Sequence, residues 1–439
     1  MIDKRGAMCY DEAERKGVFF MEKLYGAAVV GQSGGPTAAI NATLVGVIRG
    51  ALSEIEAGGC ITGLYGMRNG VDGLLRGDLI DLAATFSGEN AEDDLTTLAH
   101  TPGAALGSCR KKLPKIEDDE ATYQKLIEIF SQYNIRYFFY IGGNDSMDTV
   151  AKLSAYTAKC HYDFRVIGLP KTIDNDLVGT DHTPGFGSAA KYVATTMQEI
   201  IRDCAVYTVP AVTIVEVMGR DSGWLTTSAG LPRLISGYGP DYVYLPERNF
   251  SDDAFLADVK AALARHPNVV IAVSEGIHYA DGHYVGEGTQ SGATDVFGHK
   301  YLAGTGKCLE NLVKEKIGCK VRSVELNISQ RCGAHIASWV DLDESECCGE
   351  RGVEVACDGQ TGCMITMQRT GTDEDPYTIT FEPKDVSKIA NQIKTVPDAF
   401  INAEGNNVTD DCLVYLRPMI TGEVPLEYKD GLPRIYVFD

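Results

Sequence analysis

Apolar residues in this chain collect in short unbroken runs, each closed by glycine and polar groups. Ala27 to Val30 and Tyr137 to Ile141 are such runs, and Phe164 to Ile167 is one interrupted by Arg165. Continuous rather than alternating hydrophobicity over this length is what strands buried on both faces show, so these runs predict parallel strands in an α/β sheet. Helical spacing follows the first run through Val47 and Ile48, and fills the stretch from Ala121 to Tyr133 ahead of the second. The glycine-rich region from Gly58 to Gly77 reads as a strand and a helix with exposed turns.

Polar chemistry concentrates where the strands end, at 31–37, 141–146 and 167–176, the edge at which α/β sheets place their sites. The third end carries Lys171, Thr172, Asp174 and Asp176. Pro170 favours an extended backbone there, which would put Thr172, Asp174 and Asp176 on one face. The first end carries Ser33-Gly34-Gly35, whose backbone can approach a ligand closely, and Pro36-Thr37, which reads as the start of a helix with its positive end toward an anion. This turn is neither GxGxxG nor a P-loop, so the dinucleotide and Walker readings lose support. The second end, Gly142-Gly143-Asn144-Asp145-Ser146, repeats the pattern. Arg110, Lys111 and Lys112 emerge together from a small-residue loop and suit a phosphate pocket. Taken singly, these segments are satisfied by an Asx-rich turn, a plain βα turn and a solvated basic turn. Their convergence on one crevice is what argues for a site.

Composition narrows the partners. A chain of 439 residues is long for one core, so two α/β domains are expected. The formal net charge of -21 opposes broad nucleic-acid or anionic-membrane binding, so any bound phosphate needs a local basic pocket. No apolar run reaches the roughly 18 residues of a membrane span. Thirteen cysteines lie scattered without CxxC spacing; with no signal peptide they read as reduced thiols of a cytoplasmic protein.

GQSGGPTAAIN from Gly31, GGNDS from Gly142, GLPKTIDNDL from Gly168, EVMGRDSG from Glu216 and Ser274-Glu275-Gly276 together resemble the phosphofructokinase family, in this order, from about Gly26 to the C-terminus. The Gly-Asn-Asp and Pro-Lys-Thr variants resemble its pyrophosphate-dependent branch. The resemblance implies two Rossmann-like three-layer domains with the active site in the crevice between them. It divides the chain into an extension at 1–24, a phosphoryl-donor domain at 25–187 plus about 330–395, and a sugar-phosphate domain at 188–329 plus about 396–439.

It also implies roles. Asp174 matches the general base that takes the proton from the 1-hydroxyl of fructose 6-phosphate, and Thr172 matches a residue touching the transferred group. Asp176 matches a second acid. Gly34, Gly35, Arg110 and Lys111 fall on the donor side; Met218, Gly219, Arg220, Glu275, Arg322 and Arg331 fall on the sugar-phosphate side. Arg322 matches an arginine that reaches into the neighbouring subunit, which implies a homodimer or homotetramer. Asn144 stands where most members carry an aspartate that helps hold Mg²⁺, and Asp145 beside it could contribute a metal ligand. Ile328 and Ala211 stand where many members carry a sugar-phosphate His or Tyr and a second cross-subunit arginine.

Two positions bear on the donor. ATP-using relatives have glycine where this chain has Asp145, and a carboxylate beside an α-phosphate costs about 1 kcal/mol in water at 4 Å and about 4 at an effective dielectric near 20. Lys171 replaces another glycine, and its ammonium can neutralise a leaving phosphate. Together they favour pyrophosphate. The alternatives are an ATP-dependent enzyme, which Asp145 opposes, and a non-catalytic regulatory subunit, which Asp174, Thr172 and Arg220 oppose; a lipid or NAD kinase would explain only the Gly-Gly element. Elsewhere, His299 reads as a satisfied structural histidine, 384–397 as an amphipathic helix, and 402–410 as a loop before a helix.

Overall fold

The computed structural model describes residues 23–287, 304–371 and 377–438. His299 and residues 1–22 of the expected extension lie outside them. In chain order the strands are β1 (Gly26–Ser33), β2 (Ile61–Met67), β3 (Leu79–Asp81), β4 (Ser108–Cys109), β5 (Ile135–Gly142), β6 (Arg165–Pro170), β7 (Ala211–Val217), β8 (Tyr242–Tyr244), β9 (Asn268–Ser274), β10 (Lys320–Glu325), β11 (Cys363–Arg369) and β12 (Ile379–Asp385). The first sheet runs β12-β11-β6-β5-β1-β2-β3, with β4 paired to the end of β1. It is parallel except at its edge pairs, β2 with β3 and β11 with β12. The second sheet, β10-β7-β9-β8, is parallel throughout.

The unbroken apolar runs are explained by helices on both faces of each sheet. In β1, Ala28 and Val30 enter one core while Ala27 and Val29 enter the other; in β5, Tyr137, Phe139 and Ile141 oppose Phe138 and Tyr140. Each Val, Ile or Phe among them contributes about 1.5–3 kcal/mol by leaving water, and neither face can turn polar. The helix after β1, Ile40–Glu56, packs on one face, and the helix after β5, Asn144–Lys159, packs on the other. Neighbouring strands that send their helices to opposite faces open a crevice at their carboxyl ends. The second sheet is layered likewise, with Phe186–Cys204 and Asp410–Leu416 on one side and Asp252–Arg265 and Thr305–Lys316 on the other.

The lobes are sewn together by the helix Trp339–Cys357, which packs in the first lobe while its Asp341 accepts the backbone N–H groups of Gly185 and Ser188, each at 2.9 Å. Asp341 thereby caps Phe186–Cys204, which has no cap of its own. The crossing of Trp339–Cys357 with Ile40–Glu56 needs glycines. A Cβ on Gly46 would lie 2.0 Å from the carbonyl oxygen of Glu346, and one on Gly349 would lie 2.3 Å from that of Thr43.

Three expectations are corrected. The first helix starts at Ile40 rather than at Pro36-Thr37. Gln32 donates to Asn41 at 2.8 Å and Asn41 to the Thr101 carbonyl at 2.8 Å, fixing the intervening bend in a buried polar network. The stretch 384–397 forms no amphipathic helix: β12 runs to Asp385, one 3₁₀ turn follows at Val386–Lys388, and Asn391 takes a left-handed φ of 63°. Its apolar residues serve two cores, Val386 and Ile389 in the first lobe and Val396 in the second. At the C-terminus, assigned by resemblance to the second domain, Tyr436 and Phe438 instead pack on Phe86 of the first lobe, because an aromatic pocket is available there. The loop before Asp410–Leu416 is as expected.

Gly349→Ala should lower stability by about 1–3 kcal/mol, since the helices must separate to admit a methyl group. Urea unfolding measures this, and an unchanged midpoint would show that the helix pair can slide apart freely.

Candidate active site

The carboxyl ends of β1, β4, β5 and β6 face those of β7 and β9 across a crevice of about 500 Å³, within the range of small-molecule sites. At its floor Lys171 continues the ladder by donating its N–H to the Gly142 carbonyl at 3.0 Å, and Thr172 donates to the Pro184 carbonyl at 3.2 Å. The Asp174 N–H donates to the Thr172 hydroxyl at 3.1 Å. Asn175 then turns with a φ of 52°. Thr172, Asp174 and Asp176 do line one cavity, but a local turn brings them there, not the uniformly extended backbone that Pro170 suggests.

On the first-lobe wall, Gly34 adopts a φ of 77° and is clamped to β4. Its N–H donates to the Cys109 carbonyl at 3.1 Å and its carbonyl accepts the Ser108 hydroxyl at 2.6 Å. Both glycines face cations: a Cβ on Gly34 would sit 3.4 Å from Lys171 Nζ, and one on Gly35 would sit 3.3 Å from Arg331 Nη1. The Lys171 ammonium donates to the Gly35 carbonyl. Arg110, Lys111 and Lys112 line the same wall, with Lys111 3.3 Å from Asp72 and Lys112 2.8 Å from Asp145. The helix Asn144–Lys159 opens directly onto the crevice with no side-chain cap, leaving its first N–H groups and positive end for an anion.

Opposite, Met218, Arg220, Asp221, Ser222 and Glu275 line the second-lobe wall. Gly219 lies behind them with a φ of 138° and donates its N–H to Glu275 at 3.3 Å. Arg322 stands exposed on the edge strand β10 and does not reach its own chain's crevice. Arg331, matched by resemblance to the sugar side, lies between the walls, close to Gly35 and to the Arg110 charge. Asn144 lines the crevice, but its amide is engaged: Nδ2 donates to the Gln392 carbonyl at 2.8 Å and Oδ1 accepts the Asn391 N–H at 2.9 Å.

The buried charges press on one another. Burial, then the neighbouring Asp176 charge, pushes Asp174 up to about 7, while Lys171 and Arg220 restrain the rise. Burial, and next Asp174, lifts Glu275 to about 8. Burial raises Asp176 and draws Lys171 down to about 8, the latter against the pull of Asp174. A carboxyl titrating near 7 beside a buried ammonium is suited to accept and return a proton at neutral pH. Among the described residues, the group that brings three His, Cys, Asp or Glu ligand atoms within 4.8 Å of one another is Glu54, Cys60 and Cys357, at the other end of β2. The crevice therefore offers separated carboxylates, Asp145, Asp174 and Asp176. That suits a hard divalent ion held partly by substrate phosphates and water.

Sequence reasoning did not assign Asp221, Ser222, Asn391 and Ile393, which also line the crevice, nor pair Lys112 with Asp145. Lys112 was visible in the basic run. Asn391 and Ile393 were not, because their segment has helical spacing and no motif.

The sequence profile of the family described as phosphofructokinase matches residues 27–341. A pyrophosphate–fructose 6-phosphate 1-phosphotransferase of Halomonas elongata is 39% identical over 412 residues, 93% of this chain and 95% of that protein. One of Xanthomonas campestris pv. campestris is 40% identical over 410 residues, 92% of this chain and 94% of its own. The crystal structure of a pyrophosphate-dependent phosphofructokinase from Nitrosospira multiformis superposes with a TM-score of 0.82 at 36% identity, covering 94% of this chain and 96% of that one. A profile spanning most of the chain, near-full-length relatives and a shared two-lobed fold agree: this chain belongs to the phosphofructokinase family.

Proposed function

We propose that the enzyme transfers a phosphoryl group reversibly from pyrophosphate to the 1-hydroxyl of fructose 6-phosphate, giving fructose 1,6-bisphosphate and phosphate. The observation that carries the reading is the pairing of Asp145 with Lys112 and of Lys171 with the Gly34-Gly35 turn, in one crevice with Asp174. Asp145 and its partner occupy the helix start where a nucleotide's α-phosphate would need room, while Lys171 faces the compact donor's leaving group. The full-length relatives named for pyrophosphate support the same choice over ATP.

In this reading the 25–187 and 330–395 segments serve the donor, and the segments around Met218, Gly219, Arg220 and Glu275 serve the sugar phosphate. Asp174 accepts the proton of the 1-hydroxyl as that oxygen attacks; Thr172 orients the transferred group. Arg110, Lys111, Lys171 and Arg331 neutralise phosphate charge, which carries most of the barrier lowering in phosphoryl transfer. In reverse, phosphate attacks the C1 phosphoryl group and Asp174 returns the proton to the departing sugar oxygen. A divalent ion, Mg²⁺ in this reading, would be held by Asp145 and Asp176, with Asn144 beside them and its amide engaged by Asn391 and Gln392. When bound it neutralises charge on the phosphoryl oxygens.

Exposed Arg322 and the exposed apolar side chains Val206, Val209, Ile235 and Tyr238 support a homodimer or homotetramer in which Arg322 completes a neighbour's sugar site. No helix among the described residues is long and apolar enough to cross a membrane, in keeping with a cytoplasmic enzyme.

Initial rates with fructose 6-phosphate, Mg²⁺ and either donor test the reading: turnover with pyrophosphate and none with ATP is expected, and turnover with ATP alone would overturn it. Asp145→Gly should gain measurable ATP turnover, read in the same assay. Asp174→Asn should lower kcat about 10²–10⁴-fold with sugar-phosphate binding retained. The same variant should melt about 2–4 °C higher by calorimetry, since it removes a carboxylate that burial and Asp176 both disfavour. With Asp174 titrating near 7, kcat toward the bisphosphate should rise with pH through about 7, as the base ionises. The reverse kcat, which needs Asp174 protonated, should fall over the same range.

A further inference from the structure

Residues 391–396 cross from the first lobe to the second beside the site, and their hydrogen bonds go to the loops on both sides of it. Toward the first lobe, the Lys394 N–H donates to the Asp176 carbonyl at 2.7 Å. Its ammonium donates to Oδ1 of Asn175 at 3.1 Å and to the carbonyls of Thr180 and Asp181 at 3.3 and 2.7 Å. Asn175 is the left-handed residue at the apex of the turn that presents Asp174 and Asp176. Toward the second lobe, the Lys394 carbonyl accepts the Ser222 hydroxyl at 3.1 Å and the Trp224 indole N–H at 3.2 Å. Two residues on, the Val396 N–H donates to Glu247 at 2.9 Å, and the same Glu247 oxygen accepts the Gly223 N–H at 2.9 Å. The indole ring lies 5.0 Å from the ammonium, a cation–π contact that orients both. One residue therefore holds the turn of the proposed base by its N–H and side chain, and the loop after Arg220 by its carbonyl. Lys394 itself does not line the crevice.

We propose that Lys394 is a positioning residue for phosphoryl transfer: it ties the Asp174–Asp176 turn to the Ser222–Trp224 loop, so that the base and the sugar-binding wall are held at one fixed separation. The proposal rests on the reading of Asp174 as the base. The chemistry argues for a function beyond stability. An ammonium with three donors, each spent on loop atoms around one turn, fixes that turn's direction. Displacing a base by about 1 Å from its proton costs on the order of 10²-fold in rate even when substrates still bind. The anchors of the crossing on either side, Asn144 to Asn391 and Gln392, and Glu247 to Val396, hold the segment in place, so loss of the Lys394 side chain loosens the turn locally.

Lys394→Met keeps the length of the side chain and removes its charge and donors. Its kcat with pyrophosphate should fall about 100-fold, with KM for each substrate changed less than about threefold. Amide hydrogen exchange should quicken about tenfold or more in 172–177 and 218–224 and stay unchanged in β1 and β5. Unchanged kcat together with unchanged exchange overturns the proposal, as does a rate loss accompanied by faster exchange throughout the molecule. If Lys394→Met fails to fold, Trp224→Phe keeps a ring over the ammonium and removes only the bond to the Lys394 carbonyl. It should lower kcat about fivefold or more, by the same loss of alignment, and quicken exchange in 218–224, and no change in either overturns the proposal. A parent enzyme inert with pyrophosphate would count against the proposed reaction, whereas the exchange comparison would still decide whether Lys394 ties the two loops.

Discussion

The burial of the Lys171 ammonium, 3% exposed at the end of β6, is the constraint around which the rest of the site is arranged. An isolated buried cation is too costly to keep, so acceptors must come to it. Asp174 and Asp176 supply charge from the same loop, and the Gly35 carbonyl supplies a hydrogen bond from the end of β1. That carbonyl can reach it because the turn at Gly34 takes a left-handed φ, and because no Cβ stands at 34 or 35 to crowd Lys171 and Arg331. The three strand ends are drawn together by this need for charge compensation as well as by the twist of the sheet.

The same crowding leaves the charges of the crevice out of balance. Asp174 and Glu275 are held well above the usual carboxylate range, while burial, and next the Arg110 charge, depress Arg331. Such an arrangement gives up folding stability for a carboxyl that titrates near neutrality beside clustered cations. In the proposed reaction, anionic phosphates would answer these cations directly.

Coupling between the lobes is carried by hydrogen bonds both behind the crevice and beside it. Behind the crevice, Asp341 on a first-lobe helix caps the main second-lobe helix, which fixes the relative direction of the two cores. Beside the crevice, 391–396 tie loop to loop. Hydrogen bonds to backbone atoms suit that task, because they specify distance and direction where apolar packing specifies mainly area.

The sequence by itself determined the strands, since an unbroken apolar run such as Tyr137–Ile141 has no stable alternative to burial on both faces. It also determined the chemistry offered at their ends: Gly34-Gly35, Asn144-Asp145 and Lys171 to Asp176 are local signals that need no partner to be recognised. The resemblance carried the roles further than periodicity could. Only the tertiary structure decided what depended on distant partners. Asp145 meets Lys112, Asn144 spends its amide on 391–392, and Arg331 approaches Gly35, pairings between residues tens to hundreds of positions apart. The helix expected at 384–397 gave way because its apolar residues are claimed by two different cores. The last stretch of chain, with Phe438, returned to the first lobe because Phe86 offered it a ring to pack on. In each case a short-range preference of order a few tenths of a kcal/mol per residue yielded to burial and hydrogen bonding that only the assembled fold supplies.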